Sequence, residues 1–462
     1  MSRSETACSR LAERIAFPAP DARLRWVDMK IRSFASLLVL STALGCHHGN
    51  GLGASGDAAQ PGDMAEAVDL AGPGPATTDA STFPADVTLG QLQPQVVRQS
   101  PDGILATPTV VAVTYDNDPY RMDAEKFFTE YAASTAWAAQ TAEYGVGPLT
   151  VGAPRHLTGN APATLSDGDV QKLLATNLAS AAAPWGAANS NVTYQFFIPQ
   201  AVKFDDGAGN PNQKGQPCCQ SYGGYHSDTS VNGVDVSYAI VCECGPSGGP
   251  TTPLEDITTT CNHELVEAVI DPFYGAPGYT NPSDDFFGFT LVTEGEVGDM
   301  CEFATTVDWK PADMSYTIQR TWSNKAAAAG HDPCVGDGET PYYEAIPFLP
   351  NTVDVGQGQM VKSLNIPVGT TGTMTVRVFS DVPGGSVTLR VDDIYSQFTG
   401  NAALLEFVVP PGPFLSGTDV QIQVTVKAQS IADLGGPFEP FTLATAPVVG
   451  GSETYYYGII GQ

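Results

Sequence analysis

The segment from residue 260 to 272, Thr-Cys-Asn-His-Glu-Leu-Val-Glu-Ala-Val-Ile-Asp-Pro, most constrains what this chain can fold into. Its apolar residues recur with helical spacing, and residues i and i+4 of a helix lie on one face. His263 and Glu267 have that spacing, so one helix would present an imidazole and a carboxylate to the same ion. Glu264 would lie beside them, where it could polarise a bound water. The pattern follows the logic of His-Glu-x-x-His, with a carboxylate replacing the second imidazole, which zinc accepts.

The same short pattern also arises by chance on amphipathic helices, where it is a solvated polar stripe. Two features favour a binding site here. The motif is surrounded by apolar residues, which leave little of the helix exposed, so its charged groups need a partner. An acidic cluster follows downstream, at Glu294, Glu296, Asp299 and Glu302. A catalytic zinc site needs a third protein ligand and an open position for water, and Glu296 and Asp299 are the natural candidates. The alternative is an acidic surface turn.

The net charge of the chain restricts the kinds of molecule that it can bind. The chain has 462 residues, with 50 acidic against 21 basic residues and a net charge of −29. This length predicts two or more domains at about 150 residues each. The absence of a basic footprint argues against nucleic-acid binding. Strong acidity is compatible with an exported protein that binds cations.

The N-terminal region has the pattern of a secretion signal. Met29-Lys30-Ile31-Arg32 precedes an apolar run, 34–44, which is too short to span a bilayer. The run ends Ala43-Leu44-Gly45-Cys46, which resembles a bacterial lipoprotein cleavage site with two positions reversed. We therefore expect a lipid anchor at Cys46 as the only membrane contact, with plain signal cleavage as the alternative. Residues 1–28 precede this signal and are consistent with a mis-called translation start.

Composition and periodicity divide the rest of the chain. Residues 47–95 are rich in Gly, Ala, Pro, Asp and Ser without apolar period, which predicts a disordered linker. Residues 96–345 carry strand and helix patterns in the order strand, helix, helix, strand, strand, helix, which predicts a mixed α/β (α+β) domain. The predicted strands are 109–115, 194–198 and 234–241, and the predicted helices before the metal motif are 121–143 and about 166–178.

Seven cysteines lie within this domain, at Cys218, Cys219, Cys242, Cys244, Cys261, Cys301 and Cys334. A secretion signal with clustered cysteines favours disulfides, and an odd number leaves at least one unpaired. We expect Cys301 to pair with Cys334, and one of the first two cysteines to pair with one of the next two. A zinc site of four cysteines is the alternative, which an oxidising compartment disfavours.

A second histidine, His226, lies in the Gly-rich segment that follows the first two cysteines, interpreted here as a loop. It could be a third metal ligand, or a donor that stabilises an oxyanion, a role that Tyr225 could share. The alternative is a loop histidine that only forms a hydrogen bond.

Four motifs recur in an order that resembles one secreted family. They are the Cys-rich loop from Cys219 to His226, the segment from His263 to Pro272, the acidic segment from Glu296 to Glu302, and Trp322 and Asn324 with the later Cys334. In this order, residues 105–336 resemble the plant phosphate-induced, EXORDIUM-like proteins and their bacterial relatives. The resemblance covers about half the chain. It implies an extracytoplasmic protein with a zincin-like, metalloprotease-type domain.

The C-terminal region, 346–462, contains no Cys, Trp or His. Short alternating runs at 373–379, 386–391, 404–409 and 420–426 are separated by Gly/Pro turns, which predicts a β-sandwich of Ig-like architecture. It could serve as a spacer, a substrate-binding or wall-binding module, or a cover over the first domain.

These patterns lead to one functional prediction and one alternative. The prediction is a secreted, lipid-anchored zinc hydrolase of the bacterial cell envelope, acting on a peptide or cell-envelope substrate. His263 and Glu267 would bind zinc with Glu296 or Asp299, while Glu264 acts as general base. The alternative is a non-catalytic binding or adhesion protein on the same scaffold, with a structural ion that could be Ca²⁺.

Overall fold

The computed structural model describes residues 83–205, 218–220, 222–245, 251–304, 307–335, 341–356, 358–428 and 437–462. The predicted signal region, Cys46 and residues 47–82 of the predicted linker lie outside these ranges. The described chain is mixed α/β with curled sheets, which confirms the predicted class at this level. Among the helices within those ranges, none combines the length and apolar character needed to cross a bilayer.

The part up to residue 335 contains helices and short strands in alternation. Its helices are α1 (Arg121–Ala133), α2 (Thr135–Thr141), α3 (Asp167–Asn177), α4 (Pro253–Ile270), α5 (Phe287–Thr293), α6 (Asp299–Glu302) and α7 (Asn324–Ala329). Its strands are β1 (Thr109–Tyr115), β2 (Thr150–Val151), β3 (Arg155–Leu157), β4 (Thr164–Ser166), β5 (Val192–Ile198), β6 (Lys203–Asp205), β7 (Gly224–Val231), β8 (Val234–Cys242), β9 (Asp308–Trp309) and β10 (Ile318–Gln319). Short 3₁₀ turns cover Leu89–Gln91, Ala142–Tyr144 and Asp284–Phe286.

The central sheet has the strand order β2-β1-β5-β8-β7, with β3 also paired to β1. β1, β5 and β8 are parallel, while β7 is an antiparallel edge strand beside β8. The parallel strands are almost continuously apolar because both faces of the sheet are covered. One face packs against α4, and the other packs against α3.

The predicted strands are confirmed, with β5 and β8 slightly longer than expected. The predicted helix start at Ser166 is also confirmed, because its hydroxyl accepts a hydrogen bond from Asp169 N. The single predicted helix over 121–143 is wrong. Ser134 has extended backbone dihedrals, which end α1 and begin α2.

The predicted disorder is wrong for residues 83–95. Phe83 packs edge-on against Phe348 at 5.2 Å between ring centroids, and Gln93 Nε2 donates to Tyr342 Oη at 2.7 Å. Leu89 is also buried. The apolar residues of 83–95 are too few to show a period in the sequence, but they pack against the rest of the folded chain.

The C-terminal part is mainly β. Its strands are β11 (Tyr343–Pro347), β12 (Asn351–Asp354), β13 (Met360–Asn365), β14 (Thr371–Ser380), β15 (Ser386–Asp393), β16 (Leu405–Val408), β17 (Phe414–Leu415), β18 (Asp419–Val426), β19 (Phe438–Pro447) and β20 (Thr454–Gly461), with one helix, α8 (Ile394–Thr399). They form a sheet β11-β14-β18-β16 and a sheet β12-β13-β20-β19-β15-β17. Because β11 pairs with β14, this part begins a few residues before the predicted boundary at 346. Residues of both sheets share one apolar cluster, and the β-sandwich itself stays a prediction.

Candidate metal centre

The helix α4 forms where the sequence predicts a metal-binding helix. Thr252 caps its N-terminus through a hydrogen bond from Glu255 N at 3.3 Å, and Pro253 occupies the first turn. The chain leaves the helix at Asp271, directly before a proline. His263, Glu264 and Glu267 are all buried on this helix, which excludes the solvated-stripe interpretation and leaves charged groups that need partners.

Three buried side chains bring their ligand atoms together at this helix. His263 Nε2 lies 3.1 Å from Glu267 Oε2 and 3.3 Å from Asp299 Oδ1. Their exposed fractions are 8%, 2% and 2% for His263, Glu267 and Asp299. Ligands of a tetrahedral zinc ion, bonded at about 2.0–2.1 Å, lie about 3.3 Å apart. The observed separations therefore suit a metal ion of this size.

Backbone donors fix the orientation of the Glu267 carboxylate. Its Oε1 accepts from Gly298 N at 2.9 Å and from Asp299 N at 3.2 Å, so Oε2 is left for an ion. Such outer hydrogen bonds orient a metal ligand. The approach depends on Gly298, because a Cβ there would lie 2.7 Å from Glu267 Oε1 and 2.9 Å from His263 Nδ1.

A buried amide network holds the acidic segment against α4. Gln319 Nε2 donates to Gly298 O at 2.9 Å, and Gln319 N donates to Asn262 Oδ1 at 2.7 Å. Asn262 Nδ2 in turn donates to Tyr131 Oη at 2.8 Å. Sequence reasoning missed Asn262 and Gln319. The only sequence signal was the position of Asn262 directly before the metal motif.

The disulfides also hold the site's framework together. Cys301 is bonded to Cys334, as predicted, which ties α6 to a distant segment. The predicted bond between one of the first two cysteines and one of the next two is also confirmed, and the structure has two such bonds where one was expected, Cys218 with Cys242 and Cys219 with Cys244. These bonds consume the thiolates that a four-cysteine zinc site would need. Among the seven cysteines of 218–334, all of them described, Cys261 is buried and unpaired.

His226 reaches the same centre from the edge strand. It lies on β7 and not in a loop, because this segment pairs antiparallel with β8 and places His226 opposite Ala239. Its Nδ1 lies 3.7 Å from Glu264 Oε2 and 3.6 Å from Glu267 Oε2, and these three residues form a second possible ligand group. Its Nε2 lies 3.1 Å from Asp271 O. A carbonyl oxygen only accepts, so Nε2 carries a proton and Nδ1 faces the carboxylates of the centre, the arrangement by which metal-binding histidines are oriented.

Two other predicted residues are placed differently. Tyr225 does not face the centre, because alternate residues of a strand point to opposite faces, and its hydroxyl donates to Asp167 Oδ1 at 2.7 Å. Glu296 Oε2 lies 4.0 Å from His226 Nδ1 but belongs to neither ligand group. Asp299 is therefore the acidic residue that joins His263 and Glu267. Glu294 and Glu302 also lie outside both groups.

The pKa values of the centre are set by four carboxyl groups around the imidazoles of His226 and His263. These carboxyl groups belong to Glu264, Glu267, Glu296 and Asp299. Burial alone would lower the pKa of His226, but Glu296, Glu264 and Glu267 outweigh it and hold that pKa well above its ordinary value. Burial would likewise lower the pKa of His263, and Glu267 and Asp299 raise it well above normal. Burial raises the pKa of Glu264, whereas both histidines hold the pKa of Glu267 well below normal against its burial. In this metal-free arrangement, protons on the two imidazoles offset the carboxylates, and a bound cation would take the place of those protons.

In comparisons with known proteins, the chain matches no protein-family model and no curated protein. The resemblance to EXORDIUM-like proteins therefore stays a prediction that depends on its four motifs.

Proposed function

We propose that this protein is an extracytoplasmic zinc-dependent hydrolase of the metalloprotease type. His263, Glu267 and Asp299 would bind the ion. The observation that carries the proposal is the pair of distances from His263 Nε2, 3.1 Å to Glu267 Oε2 and 3.3 Å to Asp299 Oδ1. An imidazole in the ligand set favours zinc over calcium, which takes oxygen ligands alone. The three disulfides support export to an oxidising compartment.

Three protein ligands would leave a fourth position for water, and bound zinc would make that water acidic. Glu264 follows His263 on α4 and faces the same space as His226, at 3.7 Å between Oε2 and Nδ1. Glu264 would take the proton of the attacking water and return it to the leaving group. His226, on the edge strand, would stabilise the oxyanion that forms on the substrate carbonyl. A peptide or cell-envelope polymer that lies along β7 would present its carbonyl to both residues.

The C-terminal part would support the site, in keeping with the predicted β-sandwich. Helix α5 lies directly before the acidic segment in the sequence. Its Phe289 packs on Tyr457 of β20, at 5.2 Å between ring centroids. This contact favours a C-terminal part that covers or supports the first domain over one that acts as a free spacer. Lipid anchoring at Cys46 in a bacterial envelope remains part of the proposal.

The burial of the centre favours one alternative, a non-catalytic binding protein with a structural ion. Structural zinc sites are closed, and Glu267 and Asp299 are each only 2% exposed. In that case His226 would act as a fourth ligand through Nδ1. No position would then be open for water, and the protein would bind its partner without turnover.

The experiment combines metal analysis with a hydrolysis assay. The metal-free protein is loaded with zinc, dialysed and analysed for metal, and activity is followed on casein and a mixture of fluorogenic peptides. We expect about one zinc per chain, unchanged in Glu264→Gln and lost in His263→Ala. Loss of a general base should lower turnover of Glu264→Gln about 10²- to 10⁴-fold.

His156→Ala is the matched control, because His156 is a more exposed histidine that also pairs with a carboxylate, Glu125, at 2.6 Å. It should keep both zinc and activity. Full activity in Glu264→Gln would contradict the assigned role of this residue. One tightly bound zinc without hydrolysis of any substrate would favour the structural alternative, and the absence of zinc binding would exclude both.

A further inference from the structure

A second pair of buried carboxyl groups lies at the carboxyl ends of the parallel strands. Asp118 follows β1, and Glu243 follows β8. Their exposed fractions are 8% for Asp118 and 2% for Glu243. Neither residue belongs to the ligand groups of the candidate metal centre. Carboxyl ends of parallel strands are the usual location of ligand sites in open α/β sheets.

The pair lacks the donors that buried carboxylates require. Asp118 Oδ1 accepts from Tyr120 N at 2.7 Å. Among the described residues, none donates a hydrogen bond to Asp118 Oδ2 or to either carboxylate oxygen of Glu243. Burial, together with the carboxyl group of Asp118 directly against it, raises the pKa of Glu243 to about 9. Two carboxyl groups that face each other in the interior need either a shared proton or a cation between them.

The backbone around Glu243 is held in place independently of any ligand. Glu243 N donates to Ile198 O at 2.9 Å. Its two neighbours, Cys242 and Cys244, are both in disulfides, to Cys218 and Cys219. A site that is rigid before binding loses little conformational entropy when an ion enters.

A neutral oxygen shares the same face of the sheet. Thr114 of β1 is fully buried, and its Oγ1 has no hydrogen-bond partner among the described residues. The strand register pairs Val113 of β1 with Phe196 of β5, so Thr114 is level with Phe197. Phe197 in turn pairs with Val241 of β8. Thr114 and Val241 therefore point to one face, and Glu243 is the first residue after β8, directly following Cys242, which points to the opposite face.

We propose that Asp118 and Glu243, with the hydroxyl of Thr114, form a second cation site that takes Ca²⁺. The donor set consists of oxygen alone, which suits a hard cation and lacks the imidazole of the zinc centre. Two carboxylates balance the charge of one divalent ion. Calcium bound here would join the end of β1 to the disulfide-bonded end of β8. The competing explanation, a proton shared by the two carboxyls, requires no metal.

The test measures calcium binding to the full chain after chelator treatment, by calorimetry and by thermal unfolding with calcium on the order of 1 mM, the range of extracellular calcium modules. We expect wild type to bind calcium and to unfold at a higher temperature with it. His263→Ala should keep this response, which separates it from the zinc centre. Glu243→Gln should raise the calcium Kd at least tenfold, and the exposed-surface control Glu406→Gln should not.

Thr114→Val is a second variant that keeps shape and charge, and it should also weaken calcium binding while folding normally. A wild-type protein without a calcium response would overturn the proposal in favour of a shared proton. An unchanged calcium Kd in both Glu243→Gln and Thr114→Val would overturn the assignment of the ligands.

Discussion

Replacing Gly298 with alanine tests whether the acidic segment and α4 form one metal site. Gly298 has φ −74° and ψ −48°, which alanine adopts without strain, so the effect of the change is steric. The added Cβ would lie 2.7 Å from Glu267 Oε1 and 2.9 Å from His263 Nδ1. Ordinary contact begins at 3.4 Å, so the methyl group presses on two proposed ligands at once.

The expected losses of stability and of metal affinity in this variant depend on how little the site can relax. The backbone N–H groups of Gly298 and Asp299 both hold Glu267 Oε1, so movement of the segment breaks hydrogen bonds to a charged group. Overpacking of this kind costs about 1–3 kcal/mol of stability. Loss of ligand orientation typically costs about 10- to 100-fold in metal affinity. We expect both losses in Gly298→Ala.

Zinc affinity is measured by competition with a chromophoric chelator, and stability of the metal-free protein by chemical unfolding. Gly372→Ala is the matched control, because its Cβ would lie 2.9 Å from Ile366 Cδ1, within the C-terminal part and away from the centre. It should lose stability and keep its zinc affinity. Wild-type zinc affinity in a folded Gly298→Ala variant would refute the assignment of His263 and Glu267 as joint ligands.

Two further predictions concern stability. Burial raises the pKa of Glu344 to about 8, so the folded state holds a proton that the unfolded state releases above its own pKa of about 4.3. Stability should therefore be full below about pH 4 and fall by up to about 5 kcal/mol as pH rises to about 8. Glu344→Gln should flatten this dependence in unfolding curves at pH 5 and pH 9, and an equally steep curve in the variant would contradict the explanation. Removing the Cys301–Cys334 bond, which closes a segment of sequence separation 33, should cost about 2–4 kcal/mol and weaken zinc binding. Cys261→Ala is the control for the loss of a buried cysteine, and equal stability of the disulfide variant and wild type would exclude this role of the bond.

The candidate site was predictable where it depends on local geometry. The spacing of His263 and Glu267 places them on one face of any helix, and the apolar period within 260–272 predicts that helix. The tendency to form disulfides, Cys301 with Cys334 among them, was expected from the predicted export signal and the cysteine count. These features depend on neighbours in sequence or on chemical environment, so no knowledge of the packed chain is needed.

The sequence by itself thus determined the helix, its two candidate ligands, the main strands and the tendency to form disulfides. Only the tertiary structure decided that His226 faces the centre, because that depends on the register of β7 against β8. It also decided that Asp299, rather than Glu296, joins His263, since Gly298 lets the backbone approach Glu267. The carboxyl pair of Asp118 and Glu243 arises in the same way. Contacts between segments far apart in sequence depend on how the whole chain packs, and no spacing of residue types encodes them.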